Sequence, residues 1–418
     1  MNPTKLKTFP VDNSSILYLS LMREEHANSY RFTMTMDEPV SPDLLQTAVN
    51  RVHPRFPSII AGFRPGFFRY MQTAAGTPPQ VRPDAGMLHT MTAKEIRECP
   101  FRVLYSGCDI SIEAFHALTD GYGAIRCLST MVAEYLRLKY GSDIPTEGPV
   151  TDLSEEPRPE ETEDSYPLHM SGKPVHLPSR YAYQLPGPKP SRTGIRTEVY
   201  TVDTGHILKA ARTCGVSITA LLSAVMALSI MEIQQHHEGQ LTAPARIMIP
   251  IDLRRQFPSR TLRNFILYAL PTLEPEDVTK PISDLAYDFA RQMKEQSKPD
   301  LLASIMAYNV KNQESPLFKA VPLALKSLAF RTIYRYFGES NSSITLTNLG
   351  NVALPEGMEH HVKDFKVYLT PRTRSPYNCG IIAYGGKLNI VISRYSQEPE
   401  LGTVFIRNME KVLRGEGL

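Results

Sequence analysis

The chain has 418 residues, 42% hydrophobic and 21% charged, which is enough apolar material for a large core. At about 100 to 200 residues per domain this length predicts two domains. Its 46 basic and 43 acidic residues leave a net charge of +3, which excludes bulk electrostatic attraction to nucleic acid. Cys99, Cys108, Cys127, Cys214 and Cys379 are odd in number and form no CxxC pair, which excludes a disulfide framework and a zinc ribbon and fits reduced thiols. The stretch MNPTKLKTFPVDNSS lacks the apolar core of a signal peptide. No uninterrupted apolar run approaches the ~18 residues of a membrane span, so a cytoplasmic protein without a membrane span is expected.

The first half reads as strands mixed with helices. SILYLSLM is an apolar run of strand length, and the alternation in SYRFTMTM fits a half-buried strand. SPDLLQTAVNRVHPRF predicts a helix with Ser41 as N-cap and Pro42 at the first helical position, because Leu44, Leu45, Ala48, Val49 and Val52 recur at helical spacing. CDISIEAF alternates as a strand. From Gly123 to about Gly141, Ile125, Leu128, Met131, Val132, Tyr135, Leu136 and Leu138 mark one side of a helix.

Between residues 145 and 190 proline is dense, with acidic SEEPRPEETED followed by basic QLPGPKPSR. Proline removes backbone donors and like charges repel, so an extended surface crossover is expected over 151–192, between an N-terminal lobe, 1–150, and a C-terminal lobe, 193–418. GIRTEVYTVD reads as a strand, and SITALLSAVMALSIMEIQQ as a helix so apolar that its neighbours must engulf it. ARIMIPIDLR is a buried strand running into an arginine-rich loop. Helices near 281–296 and 316–336 precede SSITLTNLG, then CGIIAYGGKLNIVISRY forms two strands around a Gly-Gly turn, and GTVFIRNMEKVLRG closes the chain as a helix. Sheet plus helices in each half predicts an α/β fold of the α+β sandwich type.

The stretch AFHALTDGYGAIRC lies where a strand feeds a turn that opens a helix. Such a turn projects side chains from a rigid scaffold. His116 titrates near neutrality and suits proton removal from a hydroxyl, amine or thiol. Asp120, paired with an arginine, would pin the loop, and Gly121 suits a crowded turn. The same residues also fit a capped turn beside a hydrogen-bonded core histidine.

HALTDG resembles the HxxxDG motif of the superfamily that contains chloramphenicol acetyltransferase, peptide-synthetase condensation domains, plant BAHD acyltransferases and alcohol or polyketide-associated acyltransferases. LLQTAVNRVHPRFPSI, IPIDLRRQFPSRTLRNF and ITLTNLGNVALP are similar to further landmarks of that superfamily in the expected order, over about residues 40 to 395. The chain looks most like a bacterial stand-alone alcohol acetyltransferase. The resemblance implies two chloramphenicol-acetyltransferase-like lobes with mixed sheets and a tunnel at their junction. It implies acyl transfer from acyl-CoA to an alcohol or amine, with no permanently bound cofactor. His116 would be the general base, Asp120 the partner of a buried arginine, and Gly121 a gap for the thioester arm. Arg254 is the candidate partner, with Arg255 and Arg263 as alternatives. Asn264 matches a polar landmark of the second lobe, and Thr347 and Asn348 stand where the family has a Ser-Asn pair near the reaction centre.

Departures narrow the choice. Condensation domains usually carry two successive histidines, whereas Phe115 precedes His116, which argues against peptide-bond synthesis. RFPS stands where those domains place an arginine for the motif aspartate. The BAHD signature DFGWG is absent, and the chain has no tryptophan. A condensation-type enzyme using a phosphopantetheine carrier protein and a non-catalytic binding descendant are the alternatives. There is no GxSxG nucleophile elbow and no Walker or dinucleotide-binding glycine motif. Arg246, Arg254, Arg255, Arg260 and Arg263 are candidates for the phosphates of coenzyme A or of a carrier arm. His236-His237 and His360-His361 lack metal-site spacing, and no metal is expected. Cys108 and Cys127 read as small apolar side chains.

Overall fold

The computed structural model describes residues 6–22, 28–141, 143–188, 194–333 and 339–416. After a short strand, β1 (Thr8–Pro10), the run expected as a strand forms a helix instead, α1 (Ser15–Ser20). Asp12 Oδ1 accepts the Ser15 N–H at 2.8 Å and fixes the first turn, and Ser15 and Leu19, four residues apart, bury together. β2 (Ser29–Met36) follows, then α2 (Pro42–Val52). Pro42 opens α2 as expected, but the Ser41 hydroxyl makes no cap bond; its N–H instead donates to Tyr135 Oη at 3.0 Å. β3 (Ala61–Pro65) and β4 (Tyr70–Ala74) form a hairpin, and β5 (Val81–Pro83), α3 (Ala93–Glu98), β6 (Phe101–Ser106) and β7 (Asp109–Phe115) lead to α4 (Gly121–Tyr140). α4 ends where Gly141 takes the left-handed conformation at φ 65°.

The proline-rich crossover is extended but stitched down rather than solvated. Among its described residues it contains a short 3-10 turn at Pro159–Glu161 and a short helix, α5 (Tyr166–His169), and buries Tyr166, Ala182, Tyr183 and Leu185. Arg55, in the RFPS segment, grips Glu161 with both terminal nitrogens and the Asp152 carbonyl with Nε. Residues 189–192 of the expected linker lie outside the described residues.

The second half runs β8 (Arg196–Asp203), α6 (Thr204–Thr213), α7 (Ile218–Glu238), β9 (Ala245–Asp252), β10 (Ile266–Ala269), β11 (Thr272–Leu273) and α8 (Ile282–Gln296). α7 is long and apolar enough to cross a bilayer, with mean hydropathy 1.4, yet 72% of that window is buried inside the fold. α9 (Pro299–Glu314) was not expected, although Pro299 and Asp300 mark its first turn. The helix expected over 316–336 is two, α10 (Pro316–Ala320) and α11 (Leu323–Ile333), divided at Pro322; residues 334–336 lie outside the described residues. β12 (Ile344–Asn351), β13 (Val362–Leu369), β14 (Tyr377–Tyr384), β15 (Lys387–Arg394) and α12 (Glu400–Leu413) complete the chain.

Among the described residues three sheets result, with orders β1-β4-β3, β13-β2-β7-β6-β5, and β10-β9-β12-β14-β15-β8 with β11 also on β9. Both larger sheets are mixed: β5 runs parallel to β6, and β12 runs parallel to both β9 and β14. One core joins the first large sheet to α2 and α4, and another joins the second to α6, α7, α8 and α12. β13, from the C-terminal stretch, pairs antiparallel with β2 from Val362↔Met36 to Leu369↔Tyr30 and so belongs to the first sheet. Asn389 of the second sheet donates to the Phe365 carbonyl at 2.9 Å, tying the two together.

The turn from β7 into α4 presses on residues 261–265. Thr119 Oγ1 donates to the Leu262 carbonyl at 2.6 Å, and a Cβ on Gly123 would lie 2.2 Å from that same oxygen. At Gly121 an added Cβ would meet the end of the Leu349 side chain at 2.7 Å and the Phe32 ring at an ordinary 3.9 Å, and no backbone. Gly123→Ala is therefore expected to destabilise by about 1–3 kcal/mol or more, by forcing backbone apart, and Gly121→Ala by less. Denaturant midpoints of the two variants check this ordering.

Candidate active site

His116 follows β7 directly, and its N–H donates to the Asn28 carbonyl at 3.0 Å. Tyr18 of α1 stacks on the imidazole at 4.3 Å between centroids and 14° between planes, and Tyr30 of β2 meets it edge-on at 5.1 Å. Asn264 Nδ2 donates to the His116 carbonyl at 3.0 Å, so the backbone is held from both halves of the chain. Nδ1 is sealed from solvent and makes no hydrogen bond. Burial pushes the imidazole below the ordinary 6.5; its own carbonyl, the Asp120 charge and Asn264 act in the opposite direction without reversing the shift.

Asp120 is 2% exposed and uses both carboxylate oxygens. Oδ1 accepts the N–H groups of Tyr122 at 3.2 Å and Gly123 at 3.4 Å, capping α4. Oδ2 accepts Arg254 Nη1 at 2.8 Å and the Phe265 N–H at 2.9 Å. Of the three arginines considered, Arg254 is the one that meets Asp120. Its remaining donors reach the Thr261 carbonyl at 3.0 Å, the Arg263 carbonyl at 2.6 Å and Asp252 Oδ1 at 2.9 Å, and its guanidinium lies 4.6 Å from the Tyr122 ring centre. Four of the five guanidinium N–H groups are thereby engaged with protein.

His116, Asp120, Gly121, Arg254, Thr347 and Asn348 all line one cavity of about 420 Å³. Tyr30, Phe32, Val367 and Leu369 of the first sheet face it, as do Ile249 and Ile251 of β9 in the second, so it lies where the two large sheets approach. Asn264 stands behind His116 and is fully buried. Asn348 Nδ2 donates to Thr219 Oγ1 at 2.9 Å and its Oδ1 accepts the Gly350 N–H at 2.9 Å, so both polar ends are occupied. Among the described residues no partner engages the Thr347 hydroxyl.

The five arginines separate. Arg246 is buried against the Arg180 carbonyl, Asn341 and Thr272, and Arg263 against the Thr162 and Pro10 carbonyls. Arg260 is exposed and outside the cavity lining, whereas Arg255 is exposed and lines it. His237 pairs with Glu400 at 2.7 Å and His361 with Asp37 at 2.9 Å. Among the described residues no three His, Cys, Asp or Glu side chains gather as a metal site. Cys127 is buried and its thiol is pushed up by burial, and Cys108 is half-buried.

Sequence reasoning missed a second layer. Tyr18 and Asp12 come from an N-terminal segment with no motif, and only the fold carries them to the histidine. Asp12 is fully buried with Oδ2 3.6 Å from Arg263 Nε, and Asp164 of the crossover receives the Asn13 N–H at 3.1 Å and the Tyr166 N–H at 3.2 Å.

No protein-family model matches the chain, and no curated protein matches it in sequence. Solved structures do. The chain superposes on polyketide synthase associated protein 5 from Mycobacterium tuberculosis with a TM-score of 0.61 and 14% identity, covering 99% of this chain and 98% of that one. It superposes on trichothecene 15-O-acetyltransferase from Fusarium sporotrichioides with a TM-score of 0.62 and 10% identity, covering 99% and 96%. The fold is that of chloramphenicol acetyltransferase and condensation domains. The starter condensation domain of rhizomide synthetase, in a mutant form solved in complex with C8-CoA, has it as well, with a TM-score of 0.58, 12% identity and coverage of 98% and 94%.

Asp164 yields a test by pH. Burial first, and then the Asp12 charge, push its carboxyl up to about 7 against the pull of Arg263, from an ordinary 3.8. Asp12 is raised in the same direction, by burial. Between about pH 4 and pH 7 the folded protein keeps a proton that the unfolded chain releases, so this stabilisation is complete at the acid end and is lost as pH rises to about 7. Thermal unfolding at pH 5 and pH 7 should show wild type losing more stability over that interval than Asp164→Asn. Parallel curves would contradict the assignment.

Proposed function

We propose that the protein is an acyltransferase that moves an acyl group from a thioester to an alcohol or amine, with His116 as general base. One observation carries this reading: a fixed imidazole, shifted towards its neutral form by burial, lines a cavity bounded by both large sheets. The acceptor hydroxyl or amine gives its proton to Nε2 as its heteroatom attacks the thioester carbonyl. The tetrahedral oxyanion is met by the Thr347 hydroxyl. Collapse breaks the carbon–sulfur bond, and the departing thiolate takes the proton from the imidazolium. No acyl-enzyme forms. Asp120 and Arg254 act as positioning residues, since their polar atoms are engaged by each other, by backbone and by Asp252.

Acyl-CoA is the proposed donor. Arg255, the one exposed member of the arginine group at the cavity, suits a coenzyme A phosphate, and the rhizomide synthetase domain solved with C8-CoA shares this fold. Phe115 is the neighbour before the base and is buried, so no second imidazole precedes His116, which favours a small alcohol or amine over a carrier-bound acceptor.

His116→Ala should lower turnover by about 10²- to 10⁴-fold, measured as thiol release from acyl-CoA across acyl lengths and a panel of alcohols and amines with no carrier protein present. Because the imidazole is depressed, the acid limb of kcat/KM in wild type should fall below pH 6.5. Wild-type turnover in His116→Ala would overturn the mechanism.

A further inference from the structure

We propose that the tip of the β3–β4 hairpin, together with α10 and α11, is a docking face for an anionic membrane surface. The proposal stands apart from the reaction assigned above. The tip reads Arg64-Pro-Gly-Phe-Phe-Arg69, and its two rings point outward: Phe67 is 72% exposed and Phe68 47%. On α10 and α11 Leu317 is 80% exposed, Leu325 58% and Leu328 62%. Isolated exposed apolar side chains are ordinary, but a contiguous set marks an interaction surface.

The tip is held against the start of α11. The Phe67 carbonyl accepts the Leu323 N–H at 2.8 Å, the Phe68 carbonyl accepts Lys326 Nζ at 2.9 Å, and the Gly66 N–H closes the turn on the Arg69 carbonyl at 2.9 Å. The tip is therefore fastened to the start of α11 through its backbone, and the two rings, edge-on at 4.7 Å, project with little freedom to fold back. Lys326 is also spent inward, 4.6 Å from the Phe318 ring centre.

Charge selects the occupant. Arg64 and Arg69 flank the rings and are exposed, and among the described residues neither has a carboxylate partner. Lys319 is paired with Glu314 at 3.1 Å, which offsets its charge, whereas the charges of the two arginines are not offset in this way. Aromatic and leucine side chains projecting from a hairpin tip and adjoining helices, with arginines beside them, suit insertion among lipid headgroups and attraction to anionic lipid. A pocket for a peptide would need a concave surface instead. The face also reaches the proposed site. Arg331 of α11 donates to the Ser20 carbonyl at 3.0 Å and to the Met22 carbonyl at 3.1 Å, at the end of α1, the helix whose Tyr18 stacks on His116.

The test is flotation of the full chain with vesicles of phosphatidylcholine alone or mixed with phosphatidylglycerol. Wild type should float with the mixed vesicles and not with phosphatidylcholine alone, and less so as salt is raised. Phe67→Ser with Phe68→Ser, and separately Arg64→Glu with Arg69→Glu, should each cut the bound fraction about ten-fold or more with unchanged thermal unfolding. Failure of wild type to float at low salt would overturn the proposal. So would undiminished flotation of the serine variant, or sedimentation showing that the face is instead buried between two copies of the chain. Flotation does not depend on turnover, so its failure and that of the acyltransfer reading are separable.

Discussion

The contact between Asp120 and Arg254 governs the site. It joins the turn after β7, in the first large sheet, to the connection between β9 and β10, in the second. The carboxylate is sealed from water and must find partners for both oxygens, and it finds two backbone N–H groups of α4, the Phe265 N–H and the guanidinium. The guanidinium in turn takes the Thr261 and Arg263 carbonyls. One ion pair thus organises the backbone of both sides of the junction. Breaking such a buried pair by removing one partner typically costs about 3–5 kcal/mol, because the other charge is left without compensation.

The placement of His116 follows from that junction. The bond from Asn264 to the His116 carbonyl exists because residues 261–265 are held against the turn, and Gly123 lets them approach that closely. Tyr18 and Tyr30 then fix the ring orientation. The electrostatics divide by distance from the cavity. The half-buried imidazole is shifted towards its neutral form, while behind it Asp12 and Asp164 are pushed towards retaining protons and Arg263 offsets only part of their charge. In the proposed reaction, an imidazole with its charged form disfavoured and its scaffold rigid is free to take a proton from the acceptor.

Much of this was legible in the residues. Alternation gave β2 and β7, helical spacing gave α2 and α4, and Gly141 marked the end of α4 at a left-handed residue. The HxxxDG stretch pointed to His116 and Asp120, and the order of later landmarks pointed to Arg254. Other features depend on contacts distant in sequence. SILYLS is apolar enough for a strand, and Asp12 with local burial makes it a helix. β13 lies near the C-terminus but pairs with β2, which no local pattern encodes. Gly123 carries the tight approach while Gly121 belongs to the motif, a difference visible only once Leu262 is in place. The crossover looked like a solvated linker by composition, but Glu161 and Tyr166 have partners in both halves that its composition does not reveal.

The coupling energy between Asp120 and Arg254 measures the central constraint directly. A double-mutant cycle on unfolding free energy, with Asp120→Asn, Arg254→Met and both, separates their interaction from the cost of each change. If the pair holds the junction as described, the two substitutions will be strongly non-additive, with a coupling of about 2 kcal/mol or more and the double variant little worse than either single one. Additivity within about 0.5 kcal/mol would contradict the account.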